Sequence, residues 1–258
     1  MTIDFSLNGY RQLLETLLQD GFEFIAFDKT AIKQSRKRVD KKYCLLRHDI
    51  DADLSAALKL AEVEEDLGVQ ATYFLMLRSP VYNLLGRHNS QCVEDILKKG
   101  HWIGLHYDQG FDDLRQWDQE KTIHAIDIES RFIEKQFNID VTAVSFHQPT
   151  IAVLQGGVQT GLRINTYDKN ALSGFEYFSD SNRQFGLLEE GKLSDGSLLS
   201  HIQLLTHPMW WVYSDKNTFD VWDRVLEENF YSSQLQLLKT ERAFGLKRFI
   251  SIHSQHDG

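Results

Sequence analysis

Cysteine is scarce. Cys44 and Cys92 are the two in the chain, too few for a disulfide framework and not placed as a zinc-type pair. Cys44 falls inside an apolar run and reads as a small core residue. Proline occurs three times, which excludes a proline-rich linker, and no repeat or low-complexity segment breaks the chain. No apolar run approaches the roughly 20 residues that cross a bilayer, so no membrane span is expected. The opening residues, MTIDFSLNGYRQ, lack the basic-then-apolar pattern of a secretion signal, and a cytoplasmic chain is expected. Positive charge is in deficit: the formal net charge is −9, which argues against a nucleic-acid partner. The one basic run, Lys33 to Lys42 (KQSRKRVDKK), has no interleaved aromatics and reads as a solvated loop.

What is present is the balance of an ordinary globule, 42% hydrophobic and 25% charged, in a chain of 258 residues that can bury a sizeable core. Ser6 is placed to cap a helix carrying Tyr10, Leu13, Leu14 and Leu17, with Gly21 ending it. Phe22 to Phe27 reads as an aromatic strand. Tyr43 to Leu46 starts a buried strand, and Asp53 can cap a helix from Leu54 to Leu67 that Gly68 stops. Strands follow at Ala71–Leu77, Trp102–Tyr107 and Ala143–Phe146, with helices at Val93–Lys98 and around Ile123 to Phe137. The pattern weakens from Thr150 to Leu162. Short strands are then expected at Asn165–Tyr167, Glu176–Phe178, Ile202–Leu205 and, weakly, Ile250–Ile252, with a last helix through Val221, Val225, Leu226 and Phe230. Strands alternating with helices imply parallel strands joined by crossovers.

Polar clusters recur just past these apolar strands: Asp49/Asp51, His106/Asp108, His147, Asp180 and His207. In a closed barrel such strand ends meet on one face, where active sites are built. Strand alternation points Asp49 and Asp51 the same way. They read either as turn formers at a strand–helix junction or as one metal ligand beside one proton acceptor. His106 beside Asp108 reads either as a strand histidine bonded to its neighbours or as a further ligand. His147 and His207 stand close before prolines and suit a general acid or an electrostatic partner. Asp180-Ser181-Asn182-Arg183 is turn chemistry, yet Asp180 can orient a catalytic group and Arg183 can bind a carboxylate or phosphate. Trp210-Trp211 either packs in the core or walls a pocket for a sugar or acyl group. His101, at the other end of its strand, reads as structural.

These stretches, LRHDID, GHWIGLHYD, SFHQP, DSN and LLTHP, resemble the motifs of the NodB-homology polysaccharide deacetylases, carbohydrate esterase family four. The likeness runs from about Tyr43 to about Trp211. It is strongest to a cytoplasmic branch found among lipopolysaccharide O-antigen biosynthesis proteins. The resemblance implies an α/β fold, a single-domain distorted (β/α) barrel of about seven or eight mostly parallel strands over 1–258, with 1–42 a helix–strand extension. It implies Asp49 as catalytic base and Asp51 as metal ligand, although Ile50 splits the usual adjacent pair and the order can be reversed. His106 matches the first metal histidine. The second falls on Gly110, so either Asp108 substitutes, or the metal is held more weakly, or none is bound. His147 stands where the family has an arginine bracing the base, and His207 matches the general acid, balanced by Asp180. Arg183, Tyr167 and Trp210 are the expected substrate contacts. The implied activity is metal-assisted hydrolysis of an N-acyl amino sugar, nucleotide- or lipid-linked, with a divalent ion, zinc by the family pattern. The missing histidine leaves a catalytically impaired binding or scaffold protein as the alternative, or a hydrolase of another small amide. A homo-oligomer is left open.

Overall fold

The computed structural model describes residues 4–111, 118–184, 199–214 and 217–245. Ser6 starts α1 (Leu7–Gln19) by accepting a hydrogen bond from the Gly9 N–H at 3.0 Å, and Tyr10, Leu13, Leu14 and Leu17 are buried on one face. The aromatic strand that follows is shorter than its composition suggests. β1 spans Phe22–Phe24 only, and the chain then turns so that Phe27 is fully buried. The expected basic loop instead opens with a helix, α2 (Lys29–Ser35). Asp28 caps it by accepting from the Thr30 and Ala31 N–H groups, and buried Ile32 anchors it.

β2 (Lys42–Ile50) is the central strand. It is followed by α3 (Leu54–Leu67), β3 (Thr72–Leu75), α4 (Arg87–Lys98), β4 (Trp102–Asp108), α5 (Gln119–Phe137), β5 (Ala143–His147) and α6 (Ile151–Leu154). Then come β6 (Ile164–Asn165), β7 (Glu176–Ser179), β8 (His201–Thr206), α7 (Pro208–Val212) and α8 (Thr218–Thr240). The weakly patterned stretch after Thr150 thus holds one short helix and turns. Ile250–Ile252 lies outside the described residues.

Every ladder is parallel, and the sheet runs β6-β5-β4-β3-β2-β8-β7, with β1 paired to the start of β2. With its flanking helices this sheet makes the distorted (β/α) half-barrel that the alternating pattern implies. Among the described residues no ladder joins the edge strands β6 and β7. Their seam is bridged by the Tyr167 and Tyr177 rings, 6.2 Å apart, and by α2. Lys29 donates to the Leu162 carbonyl at 2.7 Å, and Arg36 donates to the carbonyls of Ala171 and Ser173.

The pleat of β2 sorts two environments. Cys44, Leu46 and Ile50 face the helix layer and join one core with Leu14, Leu60, Tyr73, Leu105 and Trp211. Leu45 faces inward with Phe27, Phe74, Ala143 and Ile164, a plug of apolar side chains at the barrel floor. Gly104 pairs with Phe74 across β3–β4, and a Cβ there would lie 2.5 Å from the Phe74 ring, so only glycine lets that ring fill the interior. Above the plug the inward positions become polar. Among the described residues no helix is long and apolar enough to cross a membrane.

Candidate active site and metal centre

The inward face of β2 carries Leu45, Arg47 and Asp49, with Asp51 just past the strand end. The loop bearing Asp51 is tied down from several directions. Ser79 donates to the Asp51 carbonyl at 3.0 Å, Tyr82 donates to the Ile50 carbonyl at 3.0 Å, and Asn229 donates to the Ala52 carbonyl at 2.9 Å. Asp53 caps α3 through the Ser55 N–H and also accepts from the Tyr213 hydroxyl.

Asp51 Oδ1 is met by two imidazole nitrogens, His106 Nε2 at 3.0 Å and His147 Nδ1 at 3.2 Å. The three donor atoms lie within 4.8 Å of one another. His106 comes from β4 and His147 from the adjacent β5, where Asp108 and His147 are register partners. The other nitrogen of His106 reveals its tautomer. Ser145 donates to Asp49 Oδ1 at 3.1 Å, so its oxygen accepts from His106 Nδ1 at 2.6 Å. A neutral His106 therefore aims a lone pair at a carboxylate oxygen. Acceptor facing acceptor at this distance needs a proton or a cation between them. A carboxylate and two imidazoles are a zinc-type donor set, and the Ser145 link is the outer support that such ligands use. The residues present fit a divalent ion.

The electrostatics agree. With a proton in that gap, burial still raises the Asp51 carboxyl, but hydrogen bonds from His106 and His147 and the charge of His207 outweigh it and hold it well below the carboxylate range. The Asp51 hydrogen bond raises His147 in turn, against the lowering effect of burial.

Asp49 stands beside this set, not in it. Arg47 Nη2 donates to Asp49 Oδ2 at 2.9 Å, in a pair sealed from solvent. Arg47 is fixed by the Tyr167 hydroxyl at 3.0 Å and by stacking over the Tyr167 ring at 4.9 Å. Asp49 is therefore held in one orientation by Arg47 and Ser145. Opposite, His207 follows β8 and its Nε2 lies 3.9 Å from Asp51 Oδ2. Asp180 accepts from His207 Nδ1 at 2.6 Å, from the His207 backbone N–H at 2.9 Å, and from Trp211 Nε1 at 2.7 Å. Burial would lower His207, but the Asp180 charge and hydrogen bond outweigh it and raise the imidazole to about 9.

Several expected roles shift. Asp108 lies outside the donor set, because its Oδ1 turns back to accept the Gly110 N–H at 2.7 Å. The third donor is His147, and it does not brace the base. That support comes from Arg47, whose place two residues before Asp49 put it on the same face. Arg183 holds its guanidinium over the Phe5 ring, 5.1 Å away, and its neighbours Ser181 and Asn182 line the cavity instead. Tyr167 and Trp210 do line it. Sequence reasoning missed Arg47, Ser145 and Trp222, and gave Trp211 no link to Asp180. Strand alternation from Asp49 and His147 was the signal available for the first two, while the Trp211 and Trp222 contacts are purely tertiary.

No protein-family model matches the chain, and no curated protein matches it. Solved structures that resemble it include a deacetylase, PplD, from Streptococcus pyogenes in complex with acetate, at 13% identity over 78% of this chain and 81% of that one, TM-score 0.43. A family 4 carbohydrate esterase from Bacillus anthracis resembles it at 14% identity over 86% of each chain, TM-score 0.43. A carbohydrate esterase family 4 pseudoenzyme, also from Bacillus anthracis, does so at 15% identity over 75% of this chain and 62% of that one, TM-score 0.44. At these levels the reading of the site rests on its own geometry.

The cavity above the donor set has a volume of about 330 Å³. Asp49, Asp51, His106, His147 and His207 form one wall; Trp210, Trp222 and Tyr177 supply aromatic surface; Gln148, Ser181 and Asn182 supply polar groups at the rim. Gln148 and Asn182 hold left-handed backbone, φ 46° and 57°, strain of a kind that gathers at binding sites.

Proposed function

We propose that this chain is a metal-dependent N-deacylase acting on an N-acylated amino sugar. The observation that carries the reading is the convergence of Asp51, His106 and His147 on one point, with Asp49 paired to Arg47 on one side and the Asp180–His207 pair on the other. Asp51, His106 and His147 would hold the ion, zinc in this reading, whose chemistry when bound is to polarise the acyl carbonyl and acidify water. Asp49 takes the proton of the attacking water, and hydrogen bonds from Arg47 and Ser145 aim its carboxylate. His207 gives a proton to the leaving amine from Nε2, while Asp180 holds Nδ1 and stabilises the cationic ring. The products are a free amino sugar and a short carboxylic acid.

The cavity sits at the small end of the roughly 300–1,000 Å³ seen for ligand sites, which suits one sugar unit with a short acyl group. Aromatic surface from Trp210, Trp222 and Tyr177 suits the apolar face of a pyranose. The motif likeness further favours a nucleotide- or lipid-linked intermediate of lipopolysaccharide O-antigen assembly, handled in the cytoplasm. The gap at Gly110, which motivated the scaffold alternative, loses its weight once His147 supplies a third donor.

The test is metal analysis joined to product release. Protein loaded with zinc retains about one ion per chain, Asp51→Ala and His147→Ala lose it, and wild type releases acetate or another short acid from N-acyl amino-sugar nucleotides. A wild-type protein that holds no divalent ion after metal-replete purification sinks the proposal. Retained ion with turnover only on non-sugar amides redirects it to another amide hydrolase.

A further inference from the structure

A second cavity, of about 720 Å³, lies beside the edge strand β6 and shares no lining residue with the first. One wall is α2, which gives it Lys29, Lys33 and Arg36. At i, i+4 and i+7 these three stand on one helix face, where like charges repel. Lys29 and Arg36 spend part of their donors on neutral carbonyls, those of Leu162, Ala171 and Ser173. Among the described residues Lys33 has no partner, and none of the three has a carboxylate within ion-pair reach. The chain holds 37 acids against 28 lysines and arginines, so unpaired cations gathered on one wall run against its composition.

The rest of the lining does not cancel this charge. Asp168 is its one acid, and Oδ1 of Asp168 is taken by the Asn170 and Ala171 N–H groups at 2.8 and 3.1 Å. Arg163 adds a further cation. Its Nη groups pair with Asp127 and Glu134, which lie outside the lining, and its Nε is sealed from solvent without a partner. Another wall is the turn 156–161, where Gly156, Gly157 and Gly161 leave backbone open to a ligand. The N–H groups of Thr160 and Gly161 have no acceptor among the described residues. Amides of a tight turn beside cations make an anion-binding concavity.

We propose that this cavity binds a sugar phosphate, with the phosphate held by Lys29, Lys33 and Arg36. A phosphate monoester carries about two negative charges at neutral pH and several acceptor oxygens, so it answers three cations better than a carboxylate does. The volume falls in the roughly 300–1,000 Å³ range of small organic ligands, which leaves room for an organic part beyond the phosphate. The lining describes that part. It holds no aromatic side chain, so a nucleobase finds no stacking platform. The side-chain amides of Gln159 and Asn170 make no hydrogen bond among the described residues and suit hydroxyl groups.

Isothermal titration calorimetry of the full chain at low salt tests this whether or not the chain hydrolyses amides. Glucose 6-phosphate is expected to bind at about one per chain, at least about tenfold more tightly than inorganic phosphate, because its hydroxyls add hydrogen bonds. Glucose is expected to show no binding, and uridine monophosphate to bind more weakly than glucose 6-phosphate. Lys33→Glu is expected to weaken glucose 6-phosphate by at least about tenfold, since a carboxylate then faces the phosphate. Lys37→Glu makes the same charge change outside the lining and is expected to alter the affinity by less than about twofold. Lys33→Gln replaces Lys33→Glu should that variant fail to fold. No heat with glucose 6-phosphate, equal binding of glucose or of inorganic phosphate, or uridine monophosphate bound as tightly overturns the proposal. So does an affinity undiminished in Lys33→Glu, the result for a phosphate held at the metal centre instead.

Discussion

Two acid–histidine clusters sit back to back on β2, and adjacent residues begin them. Asp49 points into the barrel; His48 points out under the helices. The outer cluster centres on Glu64, sealed from solvent. Glu64 accepts from His48 Nε2 at 2.6 Å, from the Tyr73 hydroxyl at 2.7 Å and from the Tyr10 hydroxyl. His48 is completed by Thr206 Oγ1 at 2.6 Å. His101 approaches Glu64 Oε2 at 3.4 Å, but its Nδ1 takes the Ala71 N–H and its Nε2 meets the Ala61 carbonyl. Every strong group there already has a protein partner, and no opening leads in. In the inner cluster two imidazole nitrogens converge on one oxygen of Asp51 beside an open cavity. Residue types alone do not distinguish the two. Surplus coordination capacity and access do.

Removing the charge of one buried acid beside β2 on each side gives the largest effects, turnover on the inner side and stability alone on the outer. Asp49→Asn is expected to cut turnover by about 10²–10⁴-fold, the usual worth of a positioned base, with zinc content nearly unchanged, and to lower stability as well because Arg47 loses its buried anionic partner. Glu64→Gln is expected to leave zinc content unchanged and to cost about 3 kcal/mol of stability, because His48 loses its buried anionic partner. Kinetics, metal analysis and urea unfolding on the two variants read both outcomes. An Asp49→Asn enzyme at full speed, or a Glu64→Gln protein as stable as wild type, would erase the distinction.

Acidity sharpens the comparison further. Burial raises Glu64, but the His48 charge and its hydrogen bond outweigh that and lower the carboxyl below its ordinary 4.5. Burial lowers His101 below its ordinary 6.5, against the pull of Glu64. In both cases the unfolded chain binds protons at a higher pH than the folded one. Stability from this cluster is therefore complete above about pH 6.5, and is lost first through His101 as pH falls, then through Glu64 below about pH 4.5. The urea midpoint of metal-free wild type, taken relative to that of His101→Gln, should fall on going from pH 7.5 to 5; the raised His147 and His207, which act in the opposite direction, are common to both proteins. A relative midpoint that rises on acidification over this range contradicts the placement of a neutral His101 beside an ionised Glu64.

Much of this geometry was legible in one dimension, and the losses have physical causes. Alternation along β2 placed Asp49 and Asp51 together, and the rule that parallel strands end on one rim placed His106, His147, Asp180 and His207 near them. The same alternation pointed to Arg47 and Ser145, which were passed over because a buried arginine and a small serine carry little signal by themselves. The third donor was hidden for another reason. A ligand motif looks for the next histidine along the chain and met Gly110, whereas the fold supplies His147 from the neighbouring strand. Only the β4–β5 register brings that residue into range. Helix α2 was masked by its solvent-facing lysines, since one buried isoleucine makes almost no periodicity.

The smallest expected effect tests whether position or acid count makes the centre. Asp108 shares the rim, the strand and the pleat of His106, yet its carboxylate is spent on the Gly110 N–H. Asp108→Ala should cost about 0.5–1.5 kcal/mol, the worth of one such hydrogen bond, and leave zinc stoichiometry and turnover within about threefold of wild type. His147→Ala, which leaves every acid on the rim in place, should instead lower zinc affinity by more than the roughly 10–100-fold that an outer-shell partner commands. Zinc titration of the two variants side by side decides it. If Asp108→Ala loses the ion and His147→Ala keeps it, the centre draws on the strand neighbour of His106, and the donor set inferred from the strand register is wrong.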